Sequence, residues 1–100
     1  MAKGYILVEV EIPDMEAYRA SGYMRMAEAS VARHGGRFMV RGGDAAGLDG
    51  DTAPGRVVIM EFPSREAAER FYRSEDYAPA LALRRSMSKG RAVLLSEYEA

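Results

Sequence analysis

The chain has no cysteine, tryptophan, asparagine or glutamine, and a single histidine, His34. Without cysteine there are no disulfides, no thiolate nucleophile and no thiolate metal site. Without asparagine, glutamine or tryptophan, no mechanism can use a side-chain amide or an indole. Charge of either sign is not in excess. The formal net charge is −1, so no basic surplus is present to neutralise a nucleic-acid backbone, and that class of partner is not expected. Long apolar runs are missing too. The opening "MAKGYILVEVEIPD" is interrupted by Glu9 and Glu11 and reads as neither a signal peptide nor a membrane span. A cytoplasmic protein with no membrane partner is the expectation. What is present suits one soluble domain: 100 residues, 48% apolar and 29% charged.

The apolar pattern divides the chain cleanly. "YILVEVEI", Tyr5 to Ile12, is rich in β-branched residues and is stopped by Pro13, as a strand would be. Asp14 stands where a helix N-cap belongs, and Glu16 suits the positive end of the helix dipole. The helix is predicted to run to about Arg33 and to end at Gly35. It carries two apolar stripes, one through Ala17, Ala20, Met24, Ala27 and Val31, the other through Met15, Tyr18, Gly22, Met26 and Ala29. The sequence does not say which stripe meets the sheet. "RFMVR" and "RVVIMEF" follow as strands, joined by "GGDAAGLDGDTAPG", longer than usual for a hairpin and expected to be mobile around Leu48 as its only apolar anchor. Ser64 caps a second helix, "REAAERFYR". Pro79 requires a new helix start near Ser74–Asp76. "RAVLLSEY" closes the chain as a strand.

The order β-α-β-β-α-β is the ferredoxin-like pattern, an α+β fold with a four-stranded antiparallel sheet and two helices on one face. Strand alternation then sorts the residues. Ile6, Val8, Val10, Ile12, Phe38, Val40, Val58, Met60, Phe62, Val93 and Leu95 form a wholly apolar set, the expected helix-covered core. The opposite set contains Leu7, Met39, Ile59 and Leu94 beside Glu9, Arg37, Arg41 and Glu61. An uncovered antiparallel face should be mostly polar. Four large apolar side chains on it call for a cover, and a second copy of the chain is the cheapest one.

"GYILVEVEIPDMEAY", "HGGRFMVRGG", "RVVIMEFPSREAAERFYRSEDYAPALALR" and "AVLLSE" together resemble the domain of unknown function 1330 family, within the dimeric α/β-barrel superfamily. The likeness spans Lys3 to Glu97. It implies a ferredoxin-like subunit whose sheet packs on its twin to form a dimeric α/β barrel. It implies no reaction, because superfamily relatives include cofactor-independent monooxygenases, small isomerases, stress proteins and haem-degrading enzymes. The haem-degrading branch relies on asparagine and tryptophan, which this chain lacks.

The segment "HGGRFMVRGGD" looks at first like a phosphate cradle. It has no lysine-serine ending, and its glycines precede a strand rather than a helix, so Gly35 and Gly36 read as a helix stop and Gly42 and Gly43 as a strand exit. His34 is either a partner for the helix's negative end or a general base. Arg37, Arg41, Glu9 and Glu61 share one strand face, where arginines could hold an anionic or enolic molecule and Glu61 could abstract a proton if burial raised its pKa. The plainer alternative is a solvated set of ion pairs. Tyr18, Tyr72 and Tyr77 could present phenols to a pocket between helix and sheet, or simply pack. Asp44, Asp49 and Asp51 do not meet the spacing of a calcium loop.

The reading that emerges is a homodimer binding a small organic molecule. Glu61 and His34 are the candidate catalytic residues, and Arg41, Arg37, Glu9, Tyr18 and Tyr77 the candidate ligand contacts. No cofactor or metal is expected. Two classes stay open: a cofactor-independent oxygenase or isomerase, and a non-catalytic ligand-binding or stress-response module.

Overall fold

The computed structural model describes residues 2–50 and 54–99. The elements, in order, are β1 (Gly4–Glu11), α1 (Met15–Ala20), α2 (Tyr23–Arg33), β2 (Arg37–Arg41), β3 (Arg56–Phe62), α3 (Arg65–Tyr72), α4 (Ala78–Met87) and β4 (Lys89–Ser96). The four strands form one antiparallel sheet in the order β2-β3-β1-β4. No helix among the described residues is long and apolar enough to cross a membrane.

The first helical region is two helices rather than the single one expected. Asp14 caps α1 by accepting the Ala17 N–H. The chain then turns at Gly22, whose φ of +87° is left-handed. Ser21 serves both sides of the break, donating to the Tyr18 carbonyl and accepting the Tyr23 N–H. This break explains the two apolar stripes. Before it, Tyr18 of one stripe is buried; after it, Ala27 and Val31 of the other stripe are buried, while Met26 stays exposed. Each half of the sequence pattern is correct for its own helix, and no surplus stripe remains.

The end of α2 is as expected. Gly35 has φ +75°, its N–H reaches the Ala32 carbonyl, and the Gly36 N–H reaches Val31, the Schellman arrangement. Ser64 caps α3 through the Ala67 N–H, and the Ser74–Tyr77 turn separates α3 from α4, with Pro79 in the first turn of α4. Helices and sheet enclose a core built on Ile6, Val8, Val10, Met60, Phe62 and Phe71.

Two strands depart from the expected alternation. In β2, Phe38 stands opposite Met60, but Val40 is opposite Ile59, so Met39 is the extra residue of a β-bulge. Beyond it, facing is inverted: Val40 shares the outer face with Ile59, and Arg41 shares the helix side with Val58. In β4, Leu94 pairs with Ile6 and Ala92 with Val8, which puts Leu94 in the core and Val93 and Leu95 outside. The run "AVLL" is apolar on both parities, so only the pairing with β1 decides it. Leu48, expected to anchor the long loop, is fully exposed and anchors nothing; Asp51 of that loop lies outside the described residues.

Candidate active site

The polar group on the outer sheet face is a set of paired charges. Arg37 Nε donates to Glu61 Oε1 at 3.0 Å, and Lys3 Nζ lies 3.6 Å from the same oxygen. The Arg37 hydrogen bond holds the Glu61 carboxyl below its ordinary value and outweighs the upward push of burial. That is the reverse of the shift a proton-abstracting Glu61 was expected to need. Glu9 is also occupied, accepting the Gly55 N–H and pairing with Arg91 at 3.5 Å. Arg37, Glu9 and Glu61 therefore share one face, as expected, but Glu9 is paired four residues along β1 from the Arg37–Glu61 pair, and all three are tied to protein partners.

His34 sits apart from them. Its Nε2 is 3.2 Å from Asp76 Oδ1, and its ring meets the edge of Phe71. Ser30 Oγ donates to the other Asp76 oxygen at 2.6 Å. These bonds, Ser30 first and His34 second, hold the Asp76 carboxyl well below the usual carboxylate range. Because the carboxylate bridges Ser30 and His34, the two are not linked to each other and do not form a nucleophile–base pair. The cluster clips α2 to the turn between α3 and α4.

The distinctive site lies on the other side of the sheet, between it and the helices. The bulge delivers Arg41 there, a correction to its expected place on the outer face. Arg41 lies over the Phe38 ring, 4.0 Å from the centroid, and donates to the Met24 carbonyl and to Glu28 Oε2, each at 2.8 Å. Arg56 enters from the start of β3 and Arg84 from α4. These three guanidiniums line one cavity with Tyr18 and Tyr23 over an aliphatic floor of Val8, Val58 and Met60. The cavity volume is about 20 Å³, enough for one water. A larger occupant needs side chains at the rim, such as Arg41, to swing aside.

Arg84 is the most unusual member. It is 5% exposed, yet among the described residues no carboxylate lies within 4.0 Å of it. One of its branches donates to the Tyr72 hydroxyl at 3.0 Å and the other to the Tyr77 hydroxyl at 3.4 Å. The Tyr77 hydroxyl is in turn 2.7 Å from that of Tyr23. Burial pushes Tyr18 up to about 12, against the pull of Arg56, Arg84 and Arg41, and pushes Tyr77 up as well. Both are therefore neutral O–H donors near pH 7. Of the expected ligand contacts, Tyr18 and Arg41 line the cavity, while Tyr77 stands behind Tyr23 as its support. No group of three or more metal-ligating side chains occurs among the described residues.

Tyr23, Arg56 and Arg84 were not singled out by the sequence. Arg84 left one legible trace: it lies four residues after Ala80 and seven after Tyr77, on the apolar stripe of α4, where an arginine is out of place.

A family model for the domain of unknown function DUF1330 matches residues 3–98. The chain belongs to the DUF1330 family. Solved structures similar to this DUF1330 protein share its fold. A protein of unknown function from Rhodopseudomonas palustris, RPA0582, aligns with TM-score 0.70 and 22% identity over 99% of this chain and 85% of its own. SnoaB, a cofactor-independent oxygenase from Streptomyces nogalater, aligns with TM-score 0.70 and 18% identity over 100% of this chain and 97% of its own. Rv0793 from Mycobacterium tuberculosis gives TM-score 0.62 and 18% identity over 100% and 98%. Among curated proteins no match was found. Identities this low establish a ferredoxin-like α+β fold and nothing about chemistry.

Proposed function

We propose that this DUF1330 protein binds a small anionic or enolic organic molecule in the cavity between helices and sheet, as a homodimer assembled through its outer sheet face. The observation that carries the ligand reading is Arg84: a buried guanidinium held by phenols, with no carboxylate on it among the described residues, beside Arg56, which likewise lacks one. Among the described residues, only Arg41 of the three is neutralised, by Glu28. A cavity with surplus positive charge in a low-dielectric setting favours an anionic guest.

The reaction class that fits is a cofactor-independent oxygenation, the activity named for the similarly folded SnoaB. With no cofactor to supply electrons, the substrate must supply them. A hydroxyarene can do so: as its oxyanion it donates electron density to dioxygen, and a phenol with a free para position plus one dioxygen gives a quinone and one water. Stabilising that oxyanion is the service such a cavity offers. A second reading, a binding module without catalysis, is favoured by the tight closure of the cavity around about 20 Å³.

The test is a titration with small hydroxyarenes, followed by resonances of cavity residues and by oxygen uptake with chelator present. Binding with oxygen uptake, both lost in Arg84→Met but kept in the surface variant Arg65→Ala, supports the oxygenase. Binding without oxygen uptake supports the module. Binding that maps to the outer sheet face and ignores Arg84→Met overturns the site.

A further inference from the structure

The hydrogen-bond chain behind the cavity has only one possible direction. A guanidinium donates and cannot accept, so the Tyr77 hydroxyl must accept from Arg84. Tyr77 is fully buried, and its hydroxyl has one other neighbour among the described residues, the Tyr23 oxygen at 2.7 Å. The Tyr77 proton therefore goes to Tyr23, since any other orientation leaves a buried O–H unpaired. That commits the Tyr23 oxygen as an acceptor and leaves its own proton without a protein acceptor among the described residues. Tyr23 lines the cavity, and so does Tyr18, which is 3% exposed and has no hydrogen-bond partner for its hydroxyl among the described residues. The two rings are neighbours, with centroids 5.4 Å apart.

We infer that Tyr18 and Tyr23 form a two-donor site for a single anionic oxygen, and that the ligand is a phenolate or enolate rather than a carboxylate. This rests on the anion-binding reading above and narrows it. A carboxylate is best held by the parallel N–H pair of an arginine fork. Here the fork of Arg84 is spent on Tyr72 and Tyr77, and Arg41 is spent on Glu28 and the Met24 carbonyl. Arg56 alone of the three keeps its fork free of protein partners among the described residues and adds charge; the other donors that the cavity offers are phenolic O–H groups, one of them polarised by the guanidinium at the far end of the chain. Two neighbouring phenols lining one cavity suit one oxygen that carries a full charge. On binding, the ligand's O–H bond breaks, its electron pair staying on the oxygen and its proton passing to solvent, and no other covalent bond changes.

The experiment uses two probes of similar size, 4-nitrophenol and 4-nitrobenzoate, with the intact protein at millimolar probe concentration. The expected result is that nitrophenol shifts the amide resonances of Met24 and Ala27, binds as the phenolate, and shows a lowered pKa by its visible absorbance. Nitrobenzoate should bind at least tenfold more weakly. Tyr23→Phe and Tyr18→Phe each remove one hydroxyl and keep the ring. Each should weaken phenolate binding roughly ten- to hundredfold, the range of a hydrogen bond to a charged group. Each should also raise the pKa of the bound probe towards its free value, a signature that a merely structural tyrosine would not move. Tighter binding of nitrobenzoate at the same resonances overturns the phenolate assignment and leaves the anion site standing. If neither probe perturbs the cavity, both readings fall. Should a Tyr→Phe variant not fold, the comparison of the two probes on the wild-type protein still decides.

Discussion

Arg84 shows how much a single side chain can reveal when its partners are the wrong sort. Its two branches reach two different phenols, Tyr72 and Tyr77, a span that only a planar fork can cover. Arg84→Lys keeps the charge but reaches one hydroxyl at most, leaving the other short of a partner. A loss of about 1–3 kcal/mol in urea unfolding is expected, and unchanged stability would mean that the fork is idle. Asp76 makes a different prediction at the same scale. Ser30 and His34 depress its folded-state pKa, so its carboxylate stabilises the fold above the unfolded value and that contribution is lost as the pH falls below it. With an unfolded aspartate near about 3.9, wild-type stability should fall off below roughly pH 4. Asp76→Asn should be less stable at neutral pH and flatter through the acid range. Melting temperatures taken across that range check the point, and an unchanged acid slope in the variant would contradict it.

Among the elements, the glycines at helix boundaries separate strain from crowding. At Gly22 an added Cβ meets nothing within 4 Å, so Gly22→Ala should cost only the left-handed backbone penalty, about 1–2 kcal/mol. At Gly36 a Cβ would lie 2.4 Å from the buried Phe62 ring, so Gly36→Ala must displace an aromatic side chain in the core. Chemical denaturation should rank Gly36→Ala as the more destabilised of the two. These elements were largely legible in advance, because caps and stops are written locally: Asp14, Ser64, the Gly35–Gly36 pair and Pro79 each name their own position. The bulge at Met39 was not legible. "RFMVR" alternates cleanly as a sequence, and the irregularity exists only relative to β3. That one shift moved Arg41 from the outer face to the cavity, and the parity error in β4 has the same origin. Local chemistry fixes an element's ends, whereas its facing depends on a partner strand far away in the chain.

On the scale of the whole molecule, one sheet has two unlike faces. The helices cover one, and Tyr5, Leu7, Ile59, Val93 and Leu95 lie on the other, together with Val40, which is 41% exposed. If that face is the dimer interface, Ile59→Arg places an uncompensated charge at its centre. The expected outcome is a monomer in light scattering, or an unfolded chain; a wild-type protein that is already monomeric at micromolar concentration would end the idea. Because both faces belong to the same strands, any change of pairing alters the two together, and the bulge bears on this directly. Met39 has no opposite number in β3, and its side chain is 48% exposed. Deleting it would leave Phe38 inward, Val40 outward and Arg41 inward by ordinary alternation. Strands seldom tolerate internal deletions, but here the second strand carries one residue of slack, so a chain shortened at Met39 should still fold with Arg41 against Glu28.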